Sequence, residues 1–158
     1  MVRARKKAAL EPWIGTKISA TIIDFGEPLL NQLPSDAPRE LREQVVKLIV
    51  TFWNAHVMAQ FWGQPEHLIA IREKLTQAAG DQTLVQALMA FKLLSARRQE
   101  LRFVNDPRAV GHWEVRDTAP GQWSIVAMPG CRRARSPGRE SPDKQSSGSA
   151  VPHASARH

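Results

Sequence analysis

His56 lies inside the stretch Val45 to Trp62, VVKLIVTFWNAHVMAQFW, where a buried helix would carry only apolar side chains. At about 100° per residue, Val45, Ile49, Phe52 and His56 share one stripe, and Glu40, Glu43, Lys47, Thr51, Asn54 and Met58 share the opposite one. The histidine is therefore predicted to point at the core, either as a hydrogen-bonded structural group or as the centre of a site. Gln60, four residues on, shares its face. A second anomaly follows about 30 residues later, where Leu84, Leu88 and Phe91 continue on the same helical side as Ser95, Arg98 and Arg102, so a core-facing stripe turns polar over its last two turns. Asp106 comes directly after.

If the ends of these two helices meet, His56, Gln60, Arg98 and Asp106 line one polar pocket, with Arg102 as a further ligand-binding candidate. The chemistry would be that of an enzyme or an anion-binding protein: Arg98 as a forked donor, His56 as acid, base or ligand, and Asp106 as the carboxylate that orients it. The alternative is architectural, with Arg98 paired to Asp106 and His56 donating to a backbone carbonyl or to Gln60. Asn54 cannot join His56 on one substrate, since two residues apart on a helix they diverge by about 200°. For a metal, His56, His67 and His112 have no ligand spacing such as a pair at i and i+4, and no metal or cofactor is expected. The chain lacks GxxxxGK[ST], GxGxxG, GxSxG and HExxH, and with them the usual phosphate, dinucleotide, hydrolase and zincin readings.

The elements that would position these residues follow from periodicity. Ile18, Ile22, Phe25, Leu29 and Leu33 form the core stripe of a first amphipathic helix, with Gly26 and Pro28 expected to kink it and Asp24 and Glu27 expected in solvent. Pro34 and Ser35 are expected to stop it and cap a long second helix, Arg39 to Trp62, which Gly63 ends. A third helix is expected from after Pro65 to about Ala79, burying Leu68, Ile71 and Leu75, and a fourth from Asp81 to Phe103. After Asn105-Asp106-Pro107 the apolar residues alternate in His112–Arg116 and Trp123–Ala127 around a Thr118–Gly121 turn, a β-hairpin whose Trp113, Val115, Trp123 and Ile125 should face the helices. The reading is mainly α with a C-terminal β-hairpin (α+β): about four helices, the long central one buried. Its boundaries are a basic flexible arm over 1–13, one helical domain with the hairpin over 14–129, and a disordered basic tail over 130–158.

A net charge of +7 and a pI near 10.3 suggest a nucleic-acid binder until the charge is located. Arg3, Arg5, Lys6 and Lys7 give the first seven residues +4, residues 131–158 give +4 again, and the body between is left at −1. Binding to a polyanion would thus fall to the terminal arms. Cys131 is the only cysteine, which leaves no intrachain disulfide and fits a reducing compartment. No secretory signal is visible, and the 45–62 run, although about 27 Å long, is broken by Lys47, Asn54, His56 and Gln60, so a cytoplasmic protein that does not enter the membrane is expected. Of the five tryptophans, Trp53 and Trp62 point to opposite sides of one helix, and core packing is the expectation for most. Three functions remain in order: a small non-catalytic helical module that binds a protein partner or itself, a nucleic-acid accessory protein acting through its basic termini, and an enzyme or anion binder with the His56/Arg98/Asp106 pocket.

Overall fold

A computed structural model describes residues 15–77 and 80–130; the N-terminal arm, Cys131 and the basic tail lie outside the described residues. Four helices and one hairpin follow in chain order: α1 Ile18–Leu30, α2 Arg39–Phe61, α3 Glu66–Thr76, α4 Gln82–Arg98, β1 Val110–Ala119 and β2 Gln122–Pro129. The α+β reading holds. Among the described residues no helix is long and apolar enough to cross a membrane.

The core is one contiguous cluster to which every element contributes. Ile18, Ile22 and Phe25 supply the α1 stripe, and Phe25 meets Trp53 and Phe103 edge to face at 5.0 and 5.6 Å between ring centres. Gly26 has a packing role: a Cβ built on it would stand 2.5 Å from Cδ1 of Ile49, so the missing side chain lets α1 and α2 approach. Pro28 stays inside the helix, two residues before its end.

Several boundaries differ from the sequence reading. Ser35 does not cap α2; Pro38 occupies that position and no side chain bonds the first turn. Helix α3 stops at Thr76 and buries Leu75, with Leu68 and Ile71 only partly covered. Helix α4 ends at Arg98, and residues 99–105 wind on as turns in which Phe103 donates to Glu100 O at 2.9 Å. At its other end the helix starts at Gln82, and Asp81, expected as its first residue, is the N-cap, accepting from the backbone N–H groups of Thr83 and Leu84.

The hairpin pairs Val115 with Ile125 and Trp113 with Ala127, turning at Pro120-Gly121 where Gly121 takes φ +73°. Val115 and Ile125 are buried and the two tryptophans half-buried against the helices, as the alternation predicted. At the open end Gly111 and Gly130 face each other so closely that a Cβ on Gly111 would lie 2.7 Å from Gly130 Cα.

Helix α2 and strand β1 run side by side in opposite directions. Arg39 to Asn54 covers about 22 Å and Val110 to Asp117 about 24 Å, so the helix can grip the strand at both ends. Asn54 holds the Val110 end. At the other end Arg39 donates to Val115 O at 3.2 Å, and Arg42 donates to Asp117 at 3.0 Å with its guanidinium 5.4 Å from the Trp123 ring centre. The stripe of α2 expected in solvent is thus partly covered by the hairpin, and Asn54 is a tie to the sheet.

Candidate functional site

Arg98 is 1% exposed and Asp106 fully buried. Helix α4 delivers Arg98 to the inside of the 99–106 turns, where its guanidinium lies 4.3 Å from the Trp53 ring centre, donates from Nη2 to the Asp106 backbone carbonyl at 2.8 Å, and donates from Nη1 to the Phe103 carbonyl. Its Nε has no partner among the described residues. The expected contact between Arg98 and Asp106 therefore exists, but through the backbone oxygen. The Asp106 carboxylate is taken by Arg108, whose Nη2 and Nε donate at 2.6 and 2.9 Å, and by the Arg108 backbone N–H at 3.0 Å. Arg108 continues to Thr16 O and Thr21 Oγ1, linking this turn to the start of α1. Burial pulls the Arg98 guanidinium down to about 10, against the opposing influence of Asp106, and it stays charged at neutral pH.

His56 faces inward, as its stripe required, and reaches α4: Nε2 lies 3.1 Å from Ser95 Oγ and the ring stacks near Phe91 at 6.2 Å between centres. Desolvation first, then the positive charges of Arg98 and Arg72, hold the imidazole down at about 4, so at neutral pH it is uncharged. Gln60 is exposed and donates to Val104 O at 2.7 Å, which fastens the end of α2 to the same turns. Arg102 leaves the cluster altogether. It is exposed, forks onto both carboxylate oxygens of Asp24 at 2.9 Å and bonds Glu100 at 2.8 Å. Asp24, expected in solvent, is instead a half-buried anchor that also pairs with Arg97 at 3.6 Å.

Ser95 and Arg98 of the α4 stripe thus come to one region with His56, and all their polar atoms but Arg98 Nε are engaged by the chain's own backbone and side chains. Among the described residues no three of His, Cys, Asp and Glu come together as metal ligands.

A larger opening lies elsewhere, between the end of α1, the first half of α2 and the outer half of α4. It is a groove of about 810 Å³ with Leu33, Leu41, Val45, Leu48, Met89 and Leu93 among its walls. Among the described residues its polar lining consists of Gln32, Gln44, Gln86 and Thr83, with no charged side chain. In a chain with 23% charged residues that is an unusual surface. Leu41 is 38% exposed and Met89 66%. Sequence periodicity misses the groove because it places Val45 on the core stripe; the missing signal is that no described element crosses over it.

Comparison with protein-family models, with curated proteins and with solved structures gives no match to this chain.

Proposed function

We propose that the protein is a small non-catalytic interaction module that docks a protein partner in the charge-free groove between α1, α2 and α4. The observation that carries this reading is the groove itself: apolar walls, a polar lining of amide and hydroxyl groups alone among the described residues, and large side chains such as Met89 left open to water. A cleft walled by helices is matched by an amphipathic helix with apolar residues at i, i+3 or i+4, and i+7. The polar cluster around Arg98 supports the same reading from the other side, since both terminal nitrogens of Arg98 hold turns 99–106 and a neutral His56 bonds Ser95.

A phage-displayed library of helical peptides, selected against submicromolar immobilised protein, tests the proposal. Enriched peptides should show the helical apolar spacing, shift the amide resonances of Leu41, Leu48 and Met89, and lose binding to the Met89→Glu variant. Peptides that map instead to the His56 region, or no peptide binding tighter than about 100 μM, would overturn it.

A further inference from the structure

From the way ridge and groove lie together on one helix, we infer that the occupant of the groove is a second copy of this chain, giving a two-fold dimer through α4. The inference rests on the reading of the groove as a docking surface. The outward face of α4 runs from Gln82 to Ala96 and exposes Val85, Gln86, Met89 and Leu93, with Lys92 as its one charge in 15 residues. Val85, Met89 and Leu93, 39%, 66% and 40% exposed, follow one another at four-residue spacing and make a ridge along the lip of the groove. A molecule that carries an apolar ridge beside an apolar groove offers both halves of one contact.

Rotation by 180° about an axis lying in the contact plane and parallel to α4 would set each ridge against the groove of the other copy. Both grooves are filled by the same operation, so the contact is isologous and does not propagate into a filament. No charge is buried unpaired, because the groove holds none and Lys92 can keep its ammonium at the rim.

Area sets the strength. The face is about 22 Å long and two helices, ~20 Å, wide, roughly 440 Å² in projection and more in accessible surface because it is ridged. That falls at or below the lower end of the ~600–1,000 Å² per partner of stable interfaces, which points to a dimer with a micromolar dissociation constant.

Sedimentation velocity of the full chain from about 1 to 200 μM, with reductant present to keep Cys131 from cross-linking copies, reads the outcome. The expected result is a concentration-dependent shift from monomer to dimer. Met89→Glu should raise the dissociation constant more than ~10-fold, by placing a carboxylate in the partner's apolar groove. Leu101→Glu, at an 85% exposed position outside this face, should leave the dimer intact. Because both side chains are largely in solvent, neither substitution should change the circular dichroism spectrum. A monomer at every concentration, or a dimer indifferent to Met89→Glu, overturns the self-pairing. Neither result decides the docking reading, which the peptide selection tests separately.

Discussion

Asn54 of α2 holds Val110 of β1 by both of its backbone polar groups: Nδ2 donates to the Val110 carbonyl at 2.9 Å and Oδ1 accepts from the Val110 N–H at 2.8 Å. A side-chain amide thereby does at the root of the hairpin what a third strand would do. Ser19 of α1 serves the opposite rim, where its hydroxyl accepts from Ala127 N at 2.8 Å and donates to Ala127 O at 3.1 Å. These two residues, with Arg39 on Val115 O, let a two-stranded sheet persist without further strands.

Asn54→Ala should lower stability by about 2 kcal/mol, since it leaves a half-buried donor and acceptor unmatched at once. Asn54→Asp, which keeps an acceptor for the N–H but sets a carboxylate against the carbonyl, should not restore it. Urea unfolding followed by tryptophan fluorescence reads both. An unchanged midpoint in the alanine variant would mean that water serves Val110 equally well.

The pH profile should carry the mark of His56. Its folded-state value near 4 lies below the 6.5 of an unfolded chain, so as pH falls the unfolded chain takes up the proton first. Stability contributed by the neutral ring is present above about 6.5 and lost between about 6.5 and 4, with an upper bound of about 3 kcal/mol that residual solvent around the half-buried ring reduces. Urea midpoints for the wild type and His56→Gln at about pH 7, 5.5 and 4.5 separate this loss from that of the carboxylates, which the variant shares. Parallel profiles would show that the imidazole is not held neutral.

Arg98 ties residues 99–106 to the core, and removing it should cost more than either substitution above. Arg98→Met deprives the carbonyls of Phe103 and Asp106 of their donor, with an expected loss of about 3–5 kcal/mol in chemical denaturation. Inorganic phosphate should not shift the wild-type midpoint, because both terminal nitrogens already donate internally. A saturable rise that vanishes in the variant would establish an anion site there.

Gly26→Ala should destabilise by about 1–3 kcal/mol through the clash with Ile49. Ile49→Val removes the Cδ1 methyl that the new Cβ would meet, so the double variant should recover part of that loss. The coupling energy of the cycle is the measurement. Simple additivity would place the cost of Gly26→Ala elsewhere.

Much of this architecture was legible in the sequence because its signals are local. The α1 stripe of Ile18, Ile22 and Phe25, the start of α4 next to Asp81 and the alternation that set Val115 against Ile125 depend on neighbours a few positions away. The inward turn of His56 and Arg98 was legible for the same reason. Asn54, Asp24 and Arg42 were read as solvated or left unread because what covers them arrives from 56, 78 and 75 residues along the chain. No periodicity within α1 or α2 reports that a strand or an arginine will lie across it. The carboxylate of Asp106 went to Arg108 instead of Arg98 because a side chain two residues away reaches it from the same turn.

The rims of the hairpin also order events in time. Its strands are adjacent in sequence and joined by two residues, so pairing Val115 with Ile125 closes only a short loop. The groups that finish its edges come from 108 and 56 positions away, on helices that must already stand side by side before Ser19 and Asn54 can reach Ala127 and Val110. The sheet therefore begins as a short-range pairing and is completed only when α1 and α2 have reached its edges, so Ser19→Ala and Asn54→Ala should speed unfolding while leaving the rate of folding nearly unchanged in stopped-flow measurements.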